Sequence, residues 1–239
     1  MAMQISKADT ADFAGIRSIW EGQFTTENGY LNIMFGEIIP RCTSYVCKIN
    51  GRIVSALSLM PMYFIDEITG IKLNGWYMFG VATLKEFWGK RIAAQMIEYT
   101  CSCEEKAGHS FIFERPATPD LNRYYYNLGF TKHLKYIPHV FESPVSNSST
   151  GNNQLKKQAE TDSAEVAKTI LKDIKTHHPR RFEWENTQIV ESLIKLGELD
   201  FHNTTYCKTP PQGVFISIRT LNKTSAETFN NTFFCFPME

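Results

Sequence analysis

The chain has 239 residues, and its 25 Lys and Arg residues balance 25 Asp and Glu residues, so its formal net charge is zero. Hydrophobic residues make up 43% of the chain and charged residues 21%, which excludes a largely disordered protein. The even charge balance argues against a nucleic-acid-binding protein, because phosphate binding needs clustered surplus cations. No apolar run approaches the length needed to span a bilayer, so no membrane partner is expected either.

The N-terminus and the six cysteines predict a cytoplasmic protein. Residues 1–13 lack the basic segment and the apolar run of a signal peptide. The cysteines form no CxxC pair, and Cys101 and Cys103 point in different directions on a predicted helix. Reduced, buried thiols are therefore expected, and neither the cysteine nor the histidine spacing predicts a metal site.

Two helices are predicted near the start of the chain. Apolar residues recur at helical spacing from Phe13 to Trp20, after a capping segment at residues 9–12. A second helix is predicted over residues 31–39, and Pro40 ends it because proline lacks the N–H group that would continue it.

Three antiparallel strands follow, predicted over residues 44–49, 52–65 and 71–83. Asn50-Gly51 between the first two is a strong hairpin signal, because a tight type I′ turn needs a positive φ at both positions. Pro61 is expected to mark a bend in the long middle strand.

Helices and strands alternate over the rest of the first 141 residues. We predict a helix that begins near Ile92 and closes at Gly108, a strand over 109–114, a short helix over 119–127 and a strand over 129–136. Together with the earlier elements, they predict an α+β layered domain in which helices flank a mostly antiparallel central sheet.

The composition predicts two parts separated by a linker. Residues 142–154 are polar and rich in Ser, Asn and Gly, which is typical of a linker or a long exposed loop. We therefore predict a domain over 1–141 and a smaller C-terminal α+β unit over 155–239. Two helices and two strands, 213–220 and 229–236, are expected in the smaller unit, to which the sequence assigns no chemistry.

The start of the central helix carries the first functional signal. A strand, a tight turn and a helix place the following segment at a helix N-terminus: Trp88-Gly89-Lys90-Arg91-Ile92-Ala93. The unpaired N–H groups and the positive dipole end there favour binding of a pyrophosphate. Gly89 and Ala93 are small enough for phosphates to approach the backbone, and the side chains of Lys90 and Arg91 add positive charge.

Residues 81–97 read VATLKEFWGKRIAAQMI, residues 116–118 read PAT and residues 124–130 read YYYNLGF. In this order and spacing they resemble two motifs of the GNAT superfamily of acyl-CoA-dependent N-acyltransferases: a pyrophosphate loop of pattern Gln/Arg-x-x-Gly-x-Gly/Ala, and a later Phe-Tyr-x-x-Leu-Gly-Phe segment. The resemblance covers residues 3–137. The layout with a smaller C-terminal half is distantly similar to the two-part Eis-like acetyltransferases.

The resemblance implies an N-acetyltransferase that transfers the acetyl group of acetyl-CoA, its co-substrate, to a primary amine of a small molecule or peptide by direct attack, without a metal. It also implies that the backbone of Val81, Ala82 and Thr83 holds the pantetheine arm and stabilises the oxyanion. The remaining positions implied to bind the cofactor are Trp88, Gly89, Lys90, Arg91, Ile92, Ala93 and Thr118.

Two catalytic residues are implied. Tyr125 matches the tyrosine that acts in the family as the general acid for the leaving thiolate, and a phenol with a pKa of about 10 keeps its proton at neutral pH. Glu114, at the end of a strand, is a candidate general base that acts directly or through water, or else it forms a surface pair with Arg115 or is a structural strand-end carboxylate. The terminal carboxylate at Glu239 is a second candidate base, by resemblance to Eis-like enzymes.

The sequence departs from the first motif twice. Trp88 stands where Gln or Arg is usual, and Arg91 stands where the first glycine is usual. Arg91 either obstructs the phosphate site or pairs with a phosphate as a cation. These departures motivate the alternative function, a catalytically degenerate GNAT-fold protein that binds CoA or a partner without turnover.

The sequence says least about the residues that would bind the acceptor amine. The aromatic residues of the first two helices either shape an apolar acceptor pocket or pack in the core: Trp20, Phe24, Tyr30 and Phe35. No motif encodes the acceptor amine, and the sequence leaves open whether the chain forms a homo-oligomer.

Overall fold

A single mixed sheet with helices on both faces organises the chain. The computed structural model of the protein describes residues 3–24, 27–137, 163–196, 216–222, 228–229 and 233–235. The predicted linker at 142–154 and the terminal residue Glu239 lie outside these residues. None of the helices in the described ranges is long and apolar enough to cross a membrane.

The helices and strands alternate along the chain. The first part contains β1 (Met3–Lys7), α1 (Phe13–Gln23), α2 (Asn28–Ile33), β2 (Thr43–Ile49), β3 (Arg52–Asp66), β4 (Ile71–Thr83), α3 (Ile92–Lys106), β5 (Phe111–Glu114), α4 (Asp120–Asn127) and β6 (Lys132–Ile137). The later residues add α5 (Ser163–His177), β7 (Arg180–Trp184), α6 (Thr187–Lys195), β8 (Ile216–Thr220) and β9 (Phe233–Cys235).

The second predicted helix is shorter than expected. Its α-helical part ends at Ile33, and the chain continues through a π-helical turn, Met34–Ile38, and a 3-10 turn, Ile39–Arg41. Pro40 lies in this last turn, where its missing N–H group and its ring end the helical conformation.

The strand order is β1-β2-β3-β4-β5-β8-β6-β9-β7, and β3 also pairs with β7, so the strands from β3 onward close into a ring. The long strand β3 pairs with β2 through its first half and with β7 from Met62 to Asp66. Neighbouring strands are antiparallel except β4–β5, β6–β9 and β7–β9. The predicted layered fold with a mostly antiparallel sheet is confirmed.

Strands from both sides of the predicted linker belong to this one sheet. Strand β8 lies between β5 and β6, with Ser217 opposite both Glu114 and His133. Strand β7 extends the pairing of β3. The division into 1–141 and 155–239 therefore stays a prediction from composition, and the sheet does not separate the two parts.

Each face of the sheet carries its own apolar cluster. Helices α1, α5 and α6 pack on one face, and α3 and α4 pack on the other. Much of the high aromatic content fills the first face, where neighbouring phenylalanine rings lie about 5–6 Å apart between centroids. These rings are Phe64, Phe111, Phe113, Phe182 and Phe229.

Strand β4 contains a bulge before its carboxyl end. Ala56 pairs with Ala82 but Ser58 pairs with Phe79, so one residue of β3 faces two residues of β4, Gly80 and Val81. Gly80 has a φ of 62°, which residues with a side chain avoid. A Cβ at this position would lie 2.2 Å from the ring of Trp20, so both the backbone and the packing require glycine.

Candidate functional site

A pocket opens where β4 and β5 separate. Their parallel pairing ends at Met78 and Glu114, whereas β4 continues to Thr83. The pocket has a volume of about 500 Å³ and lies between the end of β4, the first turn of α3, helix α4 and the last turn of α1.

This pocket brings together nine of the twelve residues predicted for the site. Those nine are Val81, Ala82, Thr83, Trp88, Gly89, Arg91, Ile92, Ala93 and Tyr125. Lys90, Glu114 and Thr118 do not line it, and Thr118 is exposed in the turn before α4. Within the described ranges, no three His, Cys, Asp or Glu side chains group closely enough to hold a metal ion.

The N-terminus of α3 faces this pocket without a capping side chain. Its N-cap residue is Arg91, which makes no side-chain cap, and the first helical residues Ile92, Ala93 and Ala94 line the pocket. The first N–H groups of a helix have no partner within the helix, and they carry the positive end of its dipole. This end of the pocket is therefore suited to an anion.

The two cations of the loop lie in different environments. The Lys90 ammonium donates to the carbonyl of Glu86 at 3.1 Å and lies 4.8 Å from the centroid of the Phe87 ring. Arg91 is exposed and lines the pocket, and no ion pair to it is found in the described part of the chain. Arg91 is thus the cation of this loop that is available to a ligand.

Arg91 also has an uncommon backbone conformation. Its φ of 58° and ψ of 21° place it in the left-handed region, where an L-residue other than glycine is strained by about 1–2 kcal/mol. Glycine would adopt this backbone conformation without strain, and arginine adds a guanidinium group at the pocket.

Trp88 folds back over the end of β4. Its indole N–H donates to the carbonyl of Thr83 at 2.6 Å, while the residue stays 58% exposed. Its ring therefore forms part of the pocket wall, and the hydrogen bond fixes the turn between β4 and α3.

Tyr125 lies on α4 and is buried at the edge of the pocket, with 8% of its surface exposed. Its ring packs against Tyr124 and Phe130, with centroids 5.3 and 5.7 Å away. Burial, helped by the nearby Glu114 charge, raises the pKa of Tyr125 above its ordinary value. The phenol therefore holds its proton at neutral pH and can act as a donor.

Glu114 is the last residue of β5 and is 1% exposed. It lies two residues after Ile112, so it points to the same face of the sheet, the one covered by α3 and α4. Among the described residues, no hydrogen bond of normal geometry reaches either carboxylate oxygen. Burial raises the pKa of Glu114 to about 9, an effect that the hydroxyl of Ser217 across the sheet partly offsets. A carboxyl group that is neutral at pH 7 is poorly suited to accept a proton there.

Residues 13–130 match the Acetyltransferase (GNAT) family model. The matched residues include both sequence motifs and all fifteen residues that line the pocket. The chain contains a GNAT-family domain. No curated protein is similar enough to the chain to count as a relative.

The solved structures that resemble the chain are only distantly similar to it. A GNAT family N-acetyltransferase from Escherichia coli in complex with CoA shares 15% identity at a TM-score of 0.47, over 57% of this chain and 74% of that one. A conserved protein from Enterococcus faecalis shares 13% sequence identity at a TM-score of 0.47, over 52% of this chain and 32% of that one. Eis1 from Mycobacterium abscessus shares 9% sequence identity at a TM-score of 0.42, over 52% of this chain and 30% of that one. The chain thus spans about a third of the length of the last two proteins. Its Eis-like layout stays a prediction.

Six further residues line the pocket of the GNAT domain: Gln23, Phe24, Phe87, Ala94, Leu121 and Tyr124. From sequence, Phe24 is expected either in an acceptor pocket or in the core, and Tyr124 is assigned no role in the site. The spacing i, i+3, i+4 of Leu121, Tyr124 and Tyr125 is the signal that could have predicted their common face. Gln23 and Phe87 follow no such pattern, because the fold alone brings them to the pocket.

Replacing Glu114 with glutamine is expected to change how stability depends on pH. The carboxyl pKa is about 9 when folded and 4.5 in its ordinary state, so folding takes up a proton between these values. The favourable contribution of the Glu114 carboxyl to the free energy of unfolding is complete below pH 4.5. It is lost as the pH rises towards 9, by up to about 1.4 kcal/mol per pH unit. Glu114→Gln should remove this slope and gain about 3 kcal/mol over the wild type at pH 7.

Urea unfolding of both proteins between pH 5 and 9 measures this difference. The exposed Glu105 on α3 provides a matched control, and Glu105→Gln should leave the slope unchanged. Parallel pH profiles for wild type and Glu114→Gln would show that Glu114 ionises in the folded protein as it does in water.

Proposed function

We propose that this protein is an N-acetyltransferase that transfers the acetyl group of acetyl-CoA to a primary amine of a small molecule or peptide. The GNAT domain supports acyl transfer as the reaction class. The observation that carries the proposal is one pocket lined both by the uncapped N-terminus of α3 and by a buried, protonated phenol, Tyr125. Such a pocket can hold a phosphorylated thioester and also protonate its leaving group.

The phosphates of CoA would lie at the N-terminus of α3. The backbone N–H groups of Ile92 and Ala93 offer donors, the helix dipole favours negative charge, and Arg91 supplies a cation. Gly89 has no side chain to obstruct the approach of a phosphate. Because the net charge of the whole chain is zero, this local charge supplies the attraction for the polyanion.

The pantetheine arm would follow the end of β4. Strand β5 pairs with β4 only as far as Met78, and the bulge at Gly80 turns the following backbone away from the regular ladder. Val81 and Thr83 line the pocket on this stretch, which supports a role for their backbone groups in binding the arm and the thioester oxygen.

In the reaction, the amine nitrogen attacks the thioester carbonyl carbon, and a tetrahedral oxyanion forms. When it collapses, the C–S bond breaks, and Tyr125 gives its proton to the departing thiolate. Glu114 can accept the proton of the ammonium group only where its carboxyl is ionised. A rate that depends on Glu114 as base would therefore rise as the pH approaches about 9.

A catalytically degenerate protein that binds CoA without turnover is the second candidate function. The strained Arg91 at a position usually held by glycine is the observation that favours it. Calorimetry with acetyl-CoA, followed by a thiol-release assay against a panel of primary amines, separates the two functions. Binding with thiol release supports the transferase, binding without release for any amine supports the second candidate, and no binding at millimolar acetyl-CoA rejects both.

Replacing Arg91 with glycine is expected to weaken CoA binding and to leave the folded state equally or more stable. The affinity should fall about tenfold because one cation near the phosphates is lost. Relief of the left-handed strain contributes about 1–2 kcal/mol, which the greater freedom of glycine in the unfolded chain partly offsets. Calorimetry and thermal unfolding measure the two effects, with Lys90→Ala as the control that removes a charge outside the pocket. Tighter CoA binding by Arg91→Gly would show that Arg91 obstructs the site.

A further inference from the structure

The helix that carries Tyr125 is fastened at its end to a strand from a distant part of the chain. The Arg219 guanidinium of β8 donates from Nη1 to the carbonyl of Leu128 at 2.8 Å, across 91 positions of sequence. Leu128 is the C-cap of α4, and the last carbonyl groups of a helix have no partner within it. The negative end of the helix dipole also favours a cation at this place. Arg219 therefore supplies both a donor and a charge that suit the end of α4.

The turn held by Arg219 is bonded directly to the backbone of Tyr125. The carbonyl of Tyr125 accepts the N–H group of Leu128 at 2.9 Å and that of Phe130 at 3.2 Å. The Phe130 side chain is fully buried, and its ring centroid lies 5.7 Å from that of Tyr125. Between them, Gly129 has a φ of 89°, and a Cβ there would lie 3.4 Å from the Nε and Cδ atoms of Arg219. The guanidinium group thus packs against a turn that contacts Tyr125 through both backbone and ring.

The backbone of Arg219 belongs to the central sheet. Arg219 pairs with Ile112 of β5, and β5 in turn pairs with β4, the strand whose end lines the pocket. Ile112 packs in the apolar cluster covered by α3 and α4, and residues that pair across a sheet project to the same face, so Arg219 points to this face too. Ser217, two residues earlier on β8, pairs with Glu114. Strand β8 therefore borders both candidate catalytic residues.

The position of the phenol limits how well it can act as an acid. A general acid must lie within hydrogen-bond distance of the atom that it protonates, and a misplacement of about 1 Å can cost about 10²-fold in rate. Helix α4 has only 8 residues, and short helices have little stability of their own. Tyr125 lies in its last turn. The place of the phenol therefore depends on what holds the end of the helix.

We infer that Arg219 is a positioning residue for Tyr125, and that β8 thereby gives the C-terminal part of the chain a role in catalysis. This inference rests on the proposed acetyl transfer with Tyr125 as its acid. Arg219 holds the Leu128 carbonyl, the turn at 128–130 holds the backbone and ring of Tyr125, and Tyr125 lines the pocket. Arg219 itself is not among the residues that line the pocket, so it acts through Tyr125 and not on the cofactor.

Replacing Arg219 with methionine tests this role, because methionine keeps much of the apolar stem and removes the donor and the charge. In the thiol-release assay at saturating acetyl-CoA and amine, kcat should fall about tenfold, while the Kd for acetyl-CoA should stay within about twofold of the wild type. Arg219→Lys keeps a cation with a donor and should recover part of the loss. An unchanged kcat, or a loss that appears in the Kd instead, would overturn the inference.

A double variant shows whether Arg219 acts through Tyr125. In the Tyr125→Phe background no phenol is left to position, so adding Arg219→Met should lower the residual kcat by less than about twofold. An equal loss of kcat in both backgrounds would mean that Arg219 acts independently of Tyr125, and the inference would be wrong.

Arg180→Met is the matched control for loss of stability. Arg180 on β7 is likewise a partly buried arginine of a strand, and its Nε atom donates to Asp66 at 3.1 Å. Its replacement should lower the melting temperature and leave kcat unchanged, because it removes an ion pair between β7 and β3 and no contact to α4. A fall in kcat as large as that of Arg219→Met would show that general destabilisation explains both variants.

A spectrum keeps the inference testable if no amine is acetylated. In protein with isotope-labelled tyrosine, the nuclear magnetic resonance signal that is absent from Tyr125→Phe identifies Tyr125. This signal should shift in Arg219→Met, or in Arg219→Lys if the methionine variant does not fold, and should keep its position in Arg180→Met. A signal that does not move would overturn the inference. A signal that moves in a protein that releases no thiol would support the positioning of Tyr125 and reject the proposed acetyl transfer.

Discussion

Replacing Tyr125 with phenylalanine is expected to lower turnover by roughly 10²–10⁴-fold, the typical contribution of a general acid. The ring of Tyr125 packs between Tyr124 and Phe130, and phenylalanine keeps those contacts. The change therefore removes the hydroxyl group and little else. Because burial raises the pKa of this phenol, the wild-type residue is fully protonated at neutral pH, and the whole of its donor capacity is lost in the variant.

The thiol-release assay should show the loss in kcat, while calorimetry should give a Kd for acetyl-CoA close to that of the wild type. Tyr126→Phe is the matched control, since Tyr126 is a neighbouring tyrosine on the same helix that is exposed and does not line the pocket. An unchanged kcat for Tyr125→Phe would reject Tyr125 as the acid. A fall in melting temperature that parallels the fall in rate would instead indicate a structural role.

Replacing Glu104 with alanine is expected to lower the free energy of unfolding by about 3–5 kcal/mol, the largest effect on stability that we expect for a single side chain outside the pocket. Glu104 is buried on α3 and joins that helix to the sheet. It accepts hydrogen bonds from the hydroxyl of Tyr45 at 2.6 Å and from the indole of Trp76 at 2.9 Å. The Nδ1 atom of His109 also lies 2.9 Å from its carboxylate. Alanine would leave the buried Tyr45 hydroxyl and the partly buried Trp76 indole without their common acceptor.

Urea unfolding of Glu104→Ala at neutral pH measures the loss. Glu105→Ala serves as the control, because the neighbouring Glu105 is exposed and its substitution should change stability by less than about 0.5 kcal/mol. Glu104→Gln keeps the side-chain shape with one acceptor fewer, so its stability should lie between those of the wild type and Glu104→Ala. A loss below about 1 kcal/mol for Glu104→Ala would show that the three partners find other hydrogen bonds.

Local signals account for the parts of the fold that the sequence predicts well. Asn50-Gly51 forms the expected two-residue hairpin, with both residues at positive φ and with Ile49 paired to Arg52. Asn186 caps α6 through its side chain, and asparagine is one of the residue types that favour this position. Strand β1, which the sequence analysis does not predict, has no comparable local signal: it is a short edge strand that owes its conformation to pairing with β2.

The candidate site likewise has features that the sequence predicts and features that it does not. The residues that the motifs place at the start of α3 and on α4 meet in one pocket, because strand, turn and helix are adjacent in the chain. The sequence could not predict which of the two cations, Lys90 or Arg91, lines the pocket. The answer depends on side-chain direction, because the Lys90 ammonium turns to the Glu86 carbonyl whereas Arg91 lines the pocket. It also could not predict the environment of Glu114, whose burial requires α4 above it and β8 beside it.

The sequence by itself predicted the GNAT-like domain, the order of the main helices and strands, and most of the residues that meet in the pocket. Each of these depends on neighbouring residues, through periodicity, turn geometry and motif spacing. Only the tertiary structure decided that β8 enters the sheet between β5 and β6, that β7 joins β3, and that Glu114 is neutral in the core. Backbone hydrogen bonds between strands distant in the chain are the same for every residue type, and burial is set by whatever element packs on top. Neither leaves a local pattern in the sequence.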